Sequence, residues 1–127
     1  MNKATFIELK DIFEIYGEEP LADKLALKVI QQRMLKKFES SQDLKDLILS
    51  EDNNHHKFKT IMRIFQALRV SVNNEIDNLR VLCEKVPKCL AKDGLAFFIT
   101  FNSLEENIVL NSMKQLVACF FFEFIEF

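Results

Sequence analysis

Apolar residues recur at helical spacing near the start of the chain and predict a first helix there. Its apolar face consists of Phe6, Leu9, Ile12 and Phe13. Thr5 and Glu8 have the spacing of a capping box, in which each residue satisfies a free backbone N–H group at the start of a helix. Gly17 suits the stop of a helix. The pattern therefore predicts a helix over residues 6–16.

Two further helices follow from the same periodicity. Pro20 suits the first turn of a helix, and apolar rows at helical spacing continue over residues 21–34. Ser40 and Ser41 offer an N-cap for a short helix over residues 42–49, which carries its apolar residues on one side.

The longest periodic stretch predicts one unbroken helix from about Lys59 to Val86. Its apolar stripe consists of Ile61, Phe65, Leu68, Val72, Ile76, Leu79, Cys83 and Val86. On a helical wheel a polar strip borders this stripe, and Glu75 lies at the opposite edge. The strip consists of Gln66, Arg69, Asn73 and Arg80.

This polar strip has two interpretations. Polar residues that border a core face most often form a solvated flank, and periodicity by itself favours that interpretation. Alternatively the strip faces a cleft, where amides and a guanidinium suit a nucleobase edge or a phosphate. Residues 57–69 carry four basic residues and no acidic one, which favours a local contact with RNA but is also common on ordinary surface.

Beyond the long helix the pattern changes to that of a strand. Residues 95–101, LAFFITF, are uncharged and rich in aromatic residues, and they follow a turn signal at 91–94. Such a run predicts a strand buried on both faces, as in a parallel sheet. Ser103 and Glu106 repeat the capping-box spacing and predict a helix from Leu104. The order of helix, buried strand and helix predicts part of an α/β sheet.

Charge and cysteine content narrow the classes of function. With 17 basic and 19 acidic residues the formal net charge is −2, so any contact with nucleic acid must be local. Three cysteines form no CxxC pair, and their odd number indicates a reducing cytosol. The adjacent histidines His55 and His56 lack partners at helical spacing, so we expect no metal site.

Other features exclude a membrane span and a glycine-rich cofactor loop. The apolar segment 116–127 is shorter than a membrane-spanning helix and carries Glu123 and Glu126. The N-terminus lacks the apolar core of a secretory signal. Gly17 and Gly94 are too far apart to form the glycine-rich turn that receives a nucleotide-like cofactor.

Three stretches in order resemble the MraW/RsmH family of S-adenosylmethionine-dependent methyltransferases. They are YGEE at 16–19, RIFQALRVSVNNEI at 63–76 and ITFNSLEENIV at 99–109. The resemblance implies methylation of the N4 atom of a cytidine in the decoding region of small-subunit ribosomal RNA, in the cytoplasm. It also implies S-adenosylmethionine as the methyl donor and that RNA as the partner.

The fold implied by the resemblance is α/β and helix-rich. Residues 1–58 resemble part of an inserted all-α domain, and residues 59–118 resemble the C-terminal part of a Rossmann-like methyltransferase sheet. That second part would contain the long helix, the buried strand and the helix from Leu104. Residues 119–127 form a Phe-rich tail.

The resemblance also suggests site residues. The candidates for catalysis are Asn73, Glu75 and Asn102. The candidates that face RNA or a cleft are Lys59, Arg63, Gln66, Arg69, Asn73, Ser103 and Glu105. Asn102 stands where the family generally has histidine, Glu106 replaces an aspartate, and Asn107 replaces an arginine.

The glycine-rich loop and the acidic residue that bind the cofactor in the family have no counterpart in this chain. We therefore expect a truncated copy that does not bind S-adenosylmethionine or transfer a methyl group alone. A different class of function stays open, in which the chain is a non-catalytic helical module that binds RNA or protein. That module would associate with itself through the strand edge and the Phe-rich tail. The product of a decayed gene is the third possibility.

Overall fold

The computed structural model describes residues 1–50 and 56–117. The helices in these ranges are α1 (Phe6–Asp11), a π-helical turn (Ile12–Tyr16), α2 (Ala22–Leu35), α3 (Ser41–Leu49), α4 (Lys57–Val72), α5 (Glu75–Cys89) and α6 (Ser103–Val117). They belong to two units, unit 1 with residues Met1–Asn73 and unit 2 from Asn74 onward.

The first predicted helix is confirmed, with an added feature at its end. Thr5 and Glu8 form the capping box: the Glu8 N–H donates to Thr5 Oγ1 at 3.2 Å, and the Thr5 N–H donates to Glu8 Oε2 at 2.7 Å. After Asp11 the helix widens into the π-helical turn, which ends before Gly17. The backbone N–H of Thr5, followed by its hydroxyl, lowers the pKa of Glu8 because both stabilise the charged carboxylate.

The second and third predicted helices are also confirmed, as α2 and α3. Ser40, rather than Ser41, is the N-cap of α3. Asp43 completes this second capping box, because the Ser40 N–H donates to Asp43 Oδ2 at 2.8 Å. The N–H groups of Glu39 and Ser40 lower the pKa of Asp43, since they stabilise its charged form.

Unit 1 has a core to which every one of its helices contributes. Its buried residues are Leu9, Phe13, Ala22, Leu25, Ala26, Val29, Leu44, Ile48, Ile64 and Ala67. The π-helical turn packs on α4, α1 packs on α2, and α3 contacts both α2 and α4. Arg33 of α2 donates to the carbonyl oxygens of Met1 and Ala4, and this ties the N-terminal residues to the unit.

The prediction of one unbroken helix from Lys59 to Val86 is wrong. Helix α4 ends at Val72 and α5 begins at Glu75, because Asn74 adopts a left-handed conformation with φ 51° and ψ 39°. A left-handed residue interrupts a right-handed helix, and asparagine is among the few residues that adopt it readily. The apolar periodicity continues across Asn74, so it could not reveal the left-handed conformation of that one residue.

The predicted α/β fold class is wrong as well. No strand occurs among the described residues, and residues 95–101 are irregular. The side chains of Leu95, Phe97, Ile99 and Phe101 are between 79% and 89% exposed. A strand requires a neighbour that pairs with its backbone N–H and C=O groups, and the described part of the chain supplies none. The Rossmann-like sheet expected from the resemblance is therefore not present in it.

Unit 2 consists of α5 and α6 packed on each other. Its buried residues are Cys83, Val109 and Met113, with Leu79 and Phe98 packed against them. The predicted helix from Leu104 is confirmed as α6, one residue earlier than expected.

Within residues 1–50 and 56–117 no helix is long and apolar enough to cross a membrane. The Phe-rich tail lies outside the described residues. The two domains assigned by the resemblance stay a prediction.

Candidate functional site

One face of α4 combines polar, basic and apolar side chains at the surface of unit 1. We call it the α4 outer face, and it consists of Phe58, Lys59, Met62, Gln66, Arg69 and Asn73. Helical spacing brings these positions to one side of the helix. Phe58 and Met62 are 76% and 72% exposed. Lys59, Arg69 and Asn73 are exposed too, and Gln66 is half-buried. Polar groups beside exposed apolar side chains suit the bases and phosphates of single-stranded RNA.

The basic window predicted at residues 57–69 does not act as one free patch. Lys57 Nζ donates to the carbonyl oxygen of Leu49 at 2.7 Å and so joins the start of α4 to the end of α3. Arg63 Nη1 lies 3.6 Å from Glu19 Oε2. Of the four basic side chains, Lys57 and Arg63 therefore contact unit 1 itself, and the α4 outer face carries the other two.

Glu19 is a site residue that the sequence analysis missed. Its side chain is only 2% exposed, although it carries a carboxylate. Oε1 accepts a hydrogen bond from the Leu21 N–H at 3.2 Å, while Oε2 has no hydrogen-bond partner in the part of the chain that the structure describes. The sequence signal was the YGEE stretch at 16–19, which was used only as part of the family resemblance.

The backbone before Glu19 explains how this carboxylate becomes buried. A Cβ atom built on Gly17 would lie 2.7 Å from the carbonyl oxygen of Phe13 and 3.0 Å from that of Arg63. Gly17 therefore lets the chain approach α4 more closely than a side chain would permit. The next residue, Glu18, has φ 47°. This left-handed turn redirects the chain, and Glu19 then enters the interior of unit 1.

The start of α6 holds three of the predicted site residues. Asn102 precedes the first residue of α6 and pairs with Glu105, so the predicted N-cap Ser103 is wrong by one position. Asn102 Oδ1 accepts from the Glu105 N–H at 2.9 Å, and Asn102 Nδ2 donates to Glu105 Oε1 at 2.7 Å. The Phe101 N–H donates to Glu105 Oε2 at 3.0 Å. Both side chains thus stabilise the start of α6.

The structure groups the predicted site residues by unit. Lys59, Arg63, Gln66, Arg69 and Asn73 all lie on α4 or at its C-cap in unit 1. Glu75 is the half-buried first residue of α5, and Asn102, Ser103 and Glu105 lie at the start of α6, all in unit 2.

Unit 2 also contains a cavity that the sequence did not indicate. It measures about 420 Å³ and lies beside α5 and α6. Its lining consists of Arg80, Cys83, Glu84, Ile108, Asn111, Ser112 and Gln115. Arg80 forms an ion pair with Asp77 at 3.2 Å, so its charge is balanced within α5.

Neither glycine of the chain offers a binding site for S-adenosylmethionine, the cofactor that the resemblance implies. The space beside Gly17 is filled by backbone oxygens and by the side chain of Ala67. Gly94 lies in a turn against Ala91 and Leu90. Neither glycine therefore borders a space that a nucleotide could enter. In residues 1–50 and 56–117 there is also no group of three histidine, cysteine, aspartate or glutamate side chains that could hold a metal ion.

Comparison with known proteins confirms the resemblance. The pattern of the MraW methylase family matches residues 1–122. Ribosomal RNA small subunit methyltransferase H of Sulfurihydrogenibium sp. (strain YO3AOP1) is 36% identical over 121 residues, covering 93% of this chain and 41% of that protein. The protein of the same name from Dictyoglomus thermophilum is 39% identical over 115 residues, covering 91% of this chain and 38% of that protein.

The chain spans about two fifths of the length of these relatives. No solved structure matches it. The departures noted at Asn102, Glu106 and Asn107 lie within the matched residues. Since the family pattern extends over nearly all of the sequence, the chain belongs to the MraW methylase family.

Proposed function

We propose that this chain contributes the RNA-contacting part of a small-subunit ribosomal RNA methyltransferase, and that the α4 outer face is the contact. The target would be the N4 atom of a cytidine in the decoding region, with S-adenosylmethionine as the methyl donor. The site of action would be the cytoplasm. The relatives' names support RNA as the substrate class.

The observation that carries this proposal is the composition of the α4 outer face. Exposed Phe58 and Met62 offer apolar surface on which bases can stack, and Lys59 and Arg69 offer positive charge for phosphates. Gln66 can pair with a base edge through its amide. These groups share one side of the helix, so one single-stranded RNA could contact them together.

The reaction of the family needs no covalent intermediate between the enzyme and its substrate. The donor would supply a methyl group to the exocyclic amine of cytidine and leave as a thioether, and the amine would lose one proton. The protein must hold the amine and accept that proton. Asn73, Glu75 and Asn102 stay the candidates for holding the amine, and Glu75 is the one among them with a carboxylate that can accept a proton. We expect no methyl transfer by this chain alone, because its glycines do not form a donor site.

RNA binding is the direct test. The full chain is titrated against a labelled single-stranded RNA of the decoding-region sequence and against a polyuridine control of equal length. We expect tighter binding of the decoding-region RNA, weakened by the double variant Lys59→Gln and Arg69→Gln. The double variant Lys85→Gln and Lys88→Gln on α5 is the matched control.

Equal binding of both RNAs, or equal loss in the two double variants, would argue against the α4 outer face as the contact. Calorimetry with S-adenosylmethionine and a turnover assay with purified small subunits complete the test. Tight one-to-one binding of the donor, or turnover, would contradict the proposed inactivity of the isolated chain.

A second function is favoured by residues 95–101. Among the described residues of unit 2, the four most exposed large apolar residues lie at alternate positions of this segment. Their row resembles one face of a strand, and an unpaired strand-like segment associates readily with a second one. We therefore propose that the chain also associates with itself through residues 95–101. The Phe-rich tail belongs to the same proposal.

A further inference from the structure

Three features of the backbone lie directly before Glu19, and two of them, the π-helical turn and the left-handed Glu18, depart from regular geometry. The π-helical turn, Ile12–Tyr16, ends at Gly17, whose missing side chain allows contact with α4, and Glu18 is left-handed with φ 47°. Single π-helical turns and left-handed non-glycine residues cost free energy, and they cluster where function requires them. Here the three together deliver one carboxylate to the interior of unit 1.

That carboxylate has incomplete hydrogen bonding. Glu19 as a whole residue is 4% exposed, and its Oε2 atom has no hydrogen bond among the described residues. An unpaired buried carboxylate is unfavourable, because it has lost water without gaining donors. The guanidinium of Arg63, with Nη1 at 3.6 Å, supplies the compensating charge. The distance exceeds that of a good hydrogen bond, so the contact is mainly ionic.

Arg63 connects this buried charge to the surface. Its side chain is 41% exposed, whereas that of Glu19 is 2% exposed. A guanidinium has five N–H donors in a planar fork, and the contact with one carboxylate oxygen leaves the others available. On α4, Arg63 lies four residues after Lys59 and three before Gln66, so it borders the α4 outer face.

We propose that Glu19 is a positioning residue that holds the Arg63 guanidinium at the edge of the α4 outer face, where Arg63 binds an RNA phosphate. This inference rests on the proposed RNA contact and assigns one phosphate site within it. A planar guanidinium binds two phosphate oxygens at once when its orientation is fixed. Glu19 fixes that orientation in the free protein, so less side-chain freedom is lost when RNA binds.

The test measures RNA affinity and its dependence on salt for the full chain. The probe is the single-stranded decoding-region RNA, titrated between about 50 and 200 mM KCl. Arg63→Gln should weaken binding about tenfold and reduce the slope of log affinity against log salt by about 0.7, the value for one phosphate on single-stranded RNA. Arg63→Lys keeps the charge without the fork, so it should keep the slope and lose about threefold in affinity.

The positioning role of Glu19 is tested by substituting Glu19 both in the native chain and in the Arg63→Gln variant. Glu19→Gln should weaken binding about threefold in the native background and have no further effect in the Arg63→Gln background, because its role requires the guanidinium. A role of Glu19 confined to folding would give the same loss in both backgrounds. Thermal melting by circular dichroism accompanies each variant. If Glu19→Gln does not fold, the comparison of Arg63→Lys with Arg63→Gln decides whether the planar guanidinium, rather than its charge alone, binds the phosphate.

Lys10→Gln on α1 is the matched control, since Lys10 is a basic residue of unit 1 that forms an ion pair with Asp23 at 3.0 Å. It should change affinity less than about twofold. Native affinity and an unchanged salt slope in Arg63→Gln would overturn the inference while the proposed RNA contact stands. Absence of salt-dependent RNA binding by the native chain would overturn both.

Discussion

Gly17 lies in direct backbone contact with Arg63, because a Cβ atom at Gly17 would be 3.0 Å from the carbonyl oxygen of Arg63. We expect Gly17→Ala to lower the free energy of unfolding by about 2 kcal/mol, since α4 would have to move away. Gly94→Ala in an exposed turn should cost under about 1 kcal/mol, because its close neighbours belong to the same turn and can shift. Urea unfolding measures the free energy of unfolding of both variants. Equal losses in the two variants would contradict the close contact between Gly17 and α4.

The break between α4 and α5 depends on the conformation of Asn74. Asn74→Ala should destabilise the protein by about 1 kcal/mol, because alanine is strained at a left-handed position. Asn74→Gly should retain stability, since glycine adopts positive φ without strain. Thermal unfolding measures both. If alanine were as stable as glycine there, the left-handed turn would not be the cause of the break.

The N-cap of α6 can be identified by substitution. Asn102→Ala should lower the free energy of unfolding by about 1 kcal/mol, because the Glu105 N–H loses its acceptor. Ser103→Ala should cost less, since Ser103 is already inside the helix. Urea unfolding of the two variants is the measurement. The reverse order would favour the originally predicted pair of Ser103 and Glu106.

Acid should destabilise unit 1 partly through the capping box of α3. The N–H groups of Glu39 and Ser40 lower the pKa of Asp43 in the folded protein. The stabilisation from a lowered pKa is present above the pKa of the unfolded chain and is lost as the pH falls through the folded pKa. The melting temperature of Asp43→Asn should therefore be below that of the native chain near neutral pH.

The two melting temperatures should converge as the pH falls below the usual range of an aspartate pKa. Thermal melts across this range provide the measurement. Ser40→Ala removes the cap hydroxyl but keeps the carboxylate, so it serves as the comparison. A constant difference between the native chain and Asp43→Asn at every pH would contradict the assigned cause.

Self-association through residues 95–101 predicts a concentration-dependent change in mass. Analytical ultracentrifugation of the native chain should show species larger than a monomer, and Phe97→Lys with Ile99→Lys should shift the distribution toward monomer. Met34→Lys replaces an apolar side chain that is also 81% exposed, at the end of α2, and serves as the control. A native chain that stays monomeric at high concentration would contradict the proposal.

Local signals in the sequence sufficed for α1, α2 and α3. The capping box of Thr5 with Glu8 and the cap at Ser40 involve residues within one turn of each other, so their chemistry is present in the sequence itself. The family was also recognisable from three short motifs, and the match over residues 1–122 confirms it. The candidate residues on α4 share a helix face for the same local reason.

The predictions from sequence failed where an element needs a pairing partner distant in sequence, or where the conformation of a single residue ends a helix. An apolar run such as residues 95–101 becomes a strand only when another strand pairs with it, and no pattern within the run reveals whether that neighbour exists. The turn at Asn74 depends on one backbone conformation that apolar periodicity does not record.

The contact between Glu19 and Arg63 joins residues far apart in the chain. The sequence alone determined α1 and α3 with their caps, α2 and the family, because these depend on neighbouring residues and on short motifs. The tertiary structure alone decided that Glu19 is buried, because burial depends on which helix packs over the chain and on how closely Gly17 lets it approach.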